Sequence, residues 1–360
     1  MALDIIRQRL HNQLLSQTKF TQPNQVVAWL GAVQAQDYAG AKWAVAQRAE
    51  GLTDAAIEQA FADGEILRTH ILRPTWHFVT PADIRWMLTL TAPRVLALLA
   101  YMDRQLALDK ATFKKNNALL TKTLQGGQQL TRSELGPILQ KAGISVEGLR
   151  FGHLMIHAEL DGIICSGAKR GKQHTYALLE ERASQAKTLD REEALAELTK
   201  RYFSGHGPAT LQDFVWWSGL TMADARNGIE AVKSELEHEV VDDQAYWFST
   251  SIPVKDPHPA ACLLPDFDEY MVGYTDRSAI FDVSHTDKLD SRGSILNQYA
   301  IVIDGQVVGT WKRTVKKSEV MVELAPFVTL TDAENQAIIG ATQQYGKFLG
   351  LPVVLAVEGV

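Results

Sequence analysis

The segment WLGAVQAQDYAGAKWAVAQR (29–48) holds the side chains most suggestive of chemistry, Gln34, Gln36 and Asp37. They fall where an amphipathic helix gives out, just before a glycine-containing restart. Within a continuous helix, residues i and i+2 lie about 200° apart and cannot share a target. Two glutamines acting on one site therefore require the helix to end or bend here; otherwise they only cap exposed helix ends. A carboxamide oxygen is too weakly basic to act as a strong general base. It can still orient a water and set a dipole against developing positive charge. Asp37 could supply the negative charge or the base instead. Tyr38 and Trp43 are aromatic surfaces suited to stacking on nucleic acid, although Trp43, at helical spacing, also suits a core.

Other constellations are weaker. His153 and His157, four apart on one helix, offer a metal face, but no HExxH glutamate and no third ligand accompany them. No metal site is expected. Asp266, Asp268 and Glu269 lack a calcium-loop pattern and read as a structural loop. His77, between Trp76 and Phe78, reads as a core or interface histidine. The chain has no Walker loop, no GxGxxG and no GxSxG, so no cofactor is expected.

The elements that must position the glutamines can be read from repeated patterns. GGQQLTRSELGPILQKAGIS (126–145) and GHGPATLQDFVWWSGLT (205–221) share a glycine-rich opening, a threonine and an acidic residue three positions on. Thr131 with Glu134, and Thr210 with Asp213, have the spacing of capping boxes. Apolar residues then recur at helical spacing, a small turn follows, and Ser145 or Thr221 offers a new N-cap. Each copy thus reads as helix, tight turn, helix. The first continues into a helix over about 147–161, a C-cap at Gly162, and the strands IICSG and QHTYALL around the basic turn AKRGK. A helix-turn-helix followed by a basic-tipped hairpin has the order of a winged helix.

Residues 1–110 read as a more divergent copy, with helices near 3–15, 24–34, 40–50 and 54–63, a strand RPTWHFV (73–79), and a helix opened by Thr80-Pro81-Ala82-Asp83. Beyond about 250 the pattern turns to strands: ACLLP, NQYAIVIDGQVVGTWKR with Asp304-Gly305 as a tight turn, and SEVMVEL. A capped helix from Thr331 and a final PVVLAV strand would close a barrel. The expectation is an α+β, mostly α chain of tandem winged-helix domains (1–110, 111–190, 191–250) followed by an antiparallel β-barrel or sheet (251–360).

Composition is that of a soluble globular chain, 46% hydrophobic and 22% charged. The N-terminus carries charge within its apolar stretch and reads as no signal peptide, and no run approaches the roughly 18 apolar residues of a membrane span. Cys165 and Cys262 make no disulfide framework or zinc pattern, which fits a reducing cytoplasm. The net charge of −6 runs against a nucleic-acid partner. The local field decides binding, however, and basic residues cluster at Lys110, Lys114, Lys115 and Lys122; at Lys169, Arg170 and Lys172; and at Lys312, Arg313, Lys316 and Lys317.

The order of VQAQD, RPTWHFV, the repeated helix-turn-helix units, LLPDFDEYMVGYTDRS and IDGQVVGTWKR resembles the winged-helix DNA glycosylases of the AlkZ/YcaQ type over nearly the full chain. The resemblance implies three winged helices and a C-terminal β-barrel, and metal-free hydrolysis of the N-glycosidic bond of alkylated purines, including interstrand crosslinks. Gln34-Ala35-Gln36 matches the Gln-x-Gln branch of that family, and the 301–313 hairpin is the candidate for its DNA-engaging hairpin. Weak water-orienting help suffices when the leaving base is already cationic. The resemblance makes Gln34 and Gln36 the catalytic candidates, and Asp37 joins them for its adjacent carboxylate. Tyr38, Lys169, Arg170, Lys172, Lys312, Arg313, Lys316 and Lys317 are the candidates for contacting double-stranded DNA. Three tandem units can surround a duplex as a monomer, whereas a non-catalytic transcriptional regulator, the alternative, would usually dimerise on a palindrome. A protein-interaction scaffold is a third reading.

Overall fold

A computed structural model of the chain describes residues 3–17, 20–249, 260–289 and 294–357. The first helices, Ile5–Asn12, Pro23–Leu30, Tyr38–Gln47 and Asp54–Asp63, stand close to the expected positions. The second stops earlier than its apolar run suggests, because Gly31 takes a φ of +79°, a conformation that glycine adopts without penalty. The chain after it is extended. Val33–Gln34 pairs antiparallel with Arg73–Val79, which in turn pairs with Leu67–Ile71.

The long helix Ile84–Gln105 leads into the middle unit: Lys110–Leu124, Arg132–Lys141 and Arg150–Leu160, then the hairpin Ile164–Arg170 with Gln173–Leu178. Thr131 and Glu134 form the anticipated capping box. Ser145 does not cap the following helix, which begins only at Arg150; the residues between form turns, and the Ser145 carbonyl accepts from Arg150 Nε at 3.2 Å. Leu130–Thr131 joins the hairpin as a third strand. The second repeat runs Arg191–Gly205, Leu211–Ser218 and Met222–Val232, with capping boxes at Thr210/Asp213 and Thr221/Asp224. It ends in the hairpin Glu237–Val241 with Gln244–Phe248.

The C-terminal strands form a five-stranded open sheet, one of the two expected forms, and not a closed barrel. Its order is Val353–Val357, Val320–Pro326, Gln306–Val315, Ala300–Ile303, Ala261–Leu264. Nor is it wholly antiparallel. The helix Asp332–Leu349 serves as a crossover, and such a connection returns the chain parallel to its starting strand. Val353–Val357 therefore lies parallel beside Val320–Pro326 and extends an edge instead of closing a cylinder.

One core joins the N-terminal helices to this sheet: Trp43 is buried among Tyr345 and Phe348, and its indole N–H donates to the Leu263 carbonyl at 2.6 Å. Beside it Arg48, on the N-terminal side, and Asp268, on the C-terminal side, form a wholly buried ion pair of 2.6 Å. Removing one partner of such a pair strands the other charge without water, at about 3–5 kcal/mol. Urea unfolding of Arg48→Ala should show a loss of that size. An Arg48→Ala/Asp268→Ala double variant should lose far less than the sum of the two single ones.

Candidate active site

Gln34 and Gln36 emerge where the helix Pro23–Leu30 has ended, as the spacing requires. Gln34 lies opposite His77 in the strand register, and the Ala35 N–H continues the pairing by donating to the Trp76 carbonyl at 2.7 Å. Gln36 lies beyond the strand Val33–Gln34, in the bend that leads into the helix Tyr38–Gln47. Gln34 is buried, and Gln36 is exposed at the rim of a groove of about 820 Å³.

The backbone of this strand is held from several directions. The Gln34 N–H donates to Glu269 Oε1 at 2.7 Å. The Ala35 carbonyl accepts from Arg68 Nε and Nη2 at 3.1 and 3.0 Å. The Gln34 side-chain oxygen accepts from Arg73 Nη2 at the long distance of 3.5 Å. Glu269 is itself fully buried, and its second oxygen accepts from the Trp217 indole at 2.9 Å and from His206 Nε2 at 3.2 Å.

Electrostatics follow from this packing. Burial alone would raise the Glu269 carboxyl, but the His206 hydrogen bond, the charges of His206 and His77, and the Gln34 N–H hold it down to about 2. Burial, reinforced by the Arg73 charge, pushes the His77 imidazole down to about 3. Its Nδ1 donates to the Thr75 carbonyl at 2.9 Å. Arg68 and Arg73 flank the two glutamines, and among the described residues neither makes an ion pair with a carboxylate. Burial lowers both, Arg68 to about 10.

Asp37 turns toward the C-terminal sheet. Its carboxylate accepts a short hydrogen bond from the Tyr299 hydroxyl and lies 3.6 Å from Arg313. Arg313 also donates to the Tyr345 and Tyr299 hydroxyls at 2.5 and 2.8 Å, so its guanidinium is committed inside the fold. Tyr38 is 8% exposed, donates to Glu58 at 3.1 Å, and has Lys169 over its ring at 4.9 Å. Arg170 pairs with Glu134 at 2.5 Å, and Lys172 stands exposed at the hairpin tip. Lys312, Lys316 and Lys317 are exposed near the turn between Gln306–Val315 and Val320–Pro326, Lys316 in contact with Glu319 at 2.7 Å. In the hairpin containing 301–313, Gly305 of the turn packs against Ile6, Leu10 and Tyr270, while Asp304 beside it is exposed. His153 and His157 close on the two oxygens of Asp103, each at 2.8 Å.

Arg68, Arg73 and Glu269 were not singled out by spacing for this role. Two signals were present, Arg73 within RPTWHFV and Glu269 within LLPDFDEYMVGY, but nothing in the sequence shows that these segments meet at Gln34.

Comparison with known proteins then decides the family. The model of the family "DNA glycosylase AlkZ-like" matches residues 27–348. The chain belongs to the AlkZ-like DNA glycosylases. Enzymes of that description are hydrolases acting on N-glycosyl bonds in DNA. Among curated proteins, the chain is 26% identical over 321 residues to an interstrand DNA cross-link repair glycosylase of Streptomyces sahachiroi, covering 84% of this chain and 85% of that one. Among solved structures, the fold is similar to the Streptomyces sahachiroi DNA glycosylase AlkZ, with a TM-score of 0.80 at 24% identity and 98% of each chain covered. Among the described residues of this AlkZ-like chain, no helix is long and apolar enough to cross a membrane.

Acid stability reports on this cluster. The ordinary carboxyl value is 4.5, so the Glu269 share of stability is present above that and is lost as pH falls toward about 2. Neutral, buried His77 acts in the same direction from its ordinary 6.5 down to about 3. Urea midpoints measured from pH 7 to pH 3 should fall continuously. In Glu269→Gln the midpoint should be lower at pH 7, and the decline below about pH 4.5 should be shallower than in the parent protein.

Proposed function

We propose that this chain is a monofunctional DNA-repair glycosylase that hydrolyses the N-glycosidic bond of alkylated purines in duplex DNA, interstrand crosslinks included. Membership of the AlkZ-like family supports the reaction class. The observation that carries the site assignment is the pair of guanidiniums, buried Arg68 and half-buried Arg73, that flank Gln34-Ala35-Gln36 without ion-pair contacts among the described residues. Positive charge beside an amide pair suits the phosphates on either side of a target nucleotide.

In this reading an N7- or N3-alkylated purine departs as a neutral base, because it is already cationic and needs no protonation. Positive charge develops on the deoxyribose at C1′. The carboxamides of Gln34 and Gln36 orient the attacking water and place their oxygen dipoles against that charge. The products are the free base, an abasic site and a proton released to solvent. Asp37, fixed by Tyr299 and Arg313, contributes negative charge one residue away. An undamaged base is a far poorer leaving group, and amide assistance is too weak to expel it. That supplies selectivity.

Residues 1–110, 111–190 and 191–250 are read as three winged helices around the duplex, with 251–360 as a β-rich fourth domain. Lys169, Arg170, Lys172, Lys312, Lys316 and Lys317 reach phosphates, and Tyr38 and Arg313 support that surface from within. The protein acts as a monomer in the cytoplasm.

Purified protein incubated with a duplex carrying a single N7-methylguanine should release the free base and leave an abasic site. A Gln34→Ala/Gln36→Ala variant should retain binding and lose excision by at least about 100-fold, the scale of removing oriented polar groups. Absence of excision on this lesion and on a crosslinked duplex would overturn the reading.

A further inference from the structure

A second cavity, of about 800 Å³, opens where the C-terminal half of the helix Ile84–Gln105 meets the helices Lys110–Leu124 and Arg150–Leu160. It shares no lining residue with the groove at Gln36. Leu96, Ala100, Leu108 and Phe113 give it an apolar surface. The Phe113 ring lies flat on that of His157, 3.7 Å between centroids, and is thereby held in place. On the first of these helices Leu98 and Tyr101 are each 64% exposed, Tyr101 next in sequence to Ala100 of the lining.

The charged side chains of this cavity divide by sign. Its carboxylates are answered within the fold. Asp103 is bonded to His153 and His157 at 2.8 Å each. Asp109 accepts from the Thr112 N–H at 2.8 Å and its hydroxyl at 2.6 Å, and Asp161 from the Asn117 amide at 2.7 Å. Its cations Arg104, Lys110 and Lys114 are exposed and make no ion pair among the described residues.

We propose that this cavity docks an acidic segment of a partner protein, anchored by one aromatic side chain. The anchor packs on Leu96, Leu108 and Phe113, and the apolar area it buries sets the affinity. Carboxylates flanking the anchor meet Arg104, Lys110 and Lys114, which select for charge and make docking salt-dependent. A phosphate backbone would use the cations and leave the apolar lining empty, so the combination favours a peptide over DNA. Docking here is independent of the chemistry at Gln34 and Gln36, since no side chain is shared.

A fluorescein-labelled peptide of consecutive aspartates ending in phenylalanine is the ligand to use, with binding read by fluorescence anisotropy. The parent protein should bind it with a Kd below about 100 μM. Alanine in place of the terminal phenylalanine should weaken binding by about tenfold, the scale of burying one such side chain. Lys110→Glu/Lys114→Glu, and separately Ala100→Trp, which fills the cavity, should each weaken it by at least about tenfold. Both lysines are exposed, and glutamate suits a helix start, so the charge-reversed protein should melt with the parent. Its Kd for an unmodified duplex should stay within about twofold of the parent's. No binding by the parent overturns the proposal, as does binding indifferent to the phenylalanine or to the lysine pair. A loss of duplex affinity as large as that for the peptide assigns the cations to DNA and overturns it as well.

Discussion

A buried carboxylate organises the centre of this molecule. Glu269 sits without solvent between the strand that carries Gln34, the helix Arg191–Gly205 followed by His206, and the helix Leu211–Ser218 that carries Trp217. A buried charge is tolerated only when its oxygens are well supplied with donors, and here each donor comes from a different segment. Satisfying the charge therefore fixes where the segments lie. The Gln34 backbone is one of them, so the same requirement that keeps Glu269 ionised also sets the origin of the Gln-x-Gln strand.

Around that point the positive charges are distributed unequally. Arg48 is neutralised by Asp268, and Arg313 is absorbed by two tyrosine hydroxyls and Asp37. Arg68 and Arg73, nearest the glutamines, have only carbonyl, amide and aromatic partners. A chain with a net charge of −6 thus keeps guanidiniums without ion-pair contacts beside Gln34-Ala35-Gln36. Local field, rather than net charge, reconciles the acidic composition with DNA as partner.

Much of this was legible in the sequence, and what was legible was local. Capping boxes at Thr131 and Thr210 and the N-cap at Thr221 are encoded within four residues and occur as read; Thr221 proves to be a full capping box with Asp224. The strand expected at 73–79 occurs as Arg73–Val79, a run rich in β-branched and aromatic residues. The geometric demand that a helix end before Gln34 was met by Gly31. Ser145 misled because a serine before a helical run is a preference, and here the turns from 145 to 149 delay the helix. Barrel closure was misjudged because local patterning does not say whether a final strand adds to an edge or bridges two. The contacts of Glu269 and Arg68 were invisible for a further reason: they join residues more than thirty, and up to 235, positions apart.

The tightest test of this arrangement is the single-turnover rate of base release by Glu269→Gln on an N7-methylguanine duplex at saturating protein, measured with the Kd for the same DNA. The substituted amide keeps the volume but must turn an N–H either toward the Gln34 N–H or toward the Trp217 indole N–H, so the contacts that hold the Gln34 strand are disturbed. Displacements of about 1 Å lower rates by about 100-fold. The account predicts a loss of that order with the Kd unchanged. A folded Glu269→Gln protein that releases base at the parent rate would contradict it.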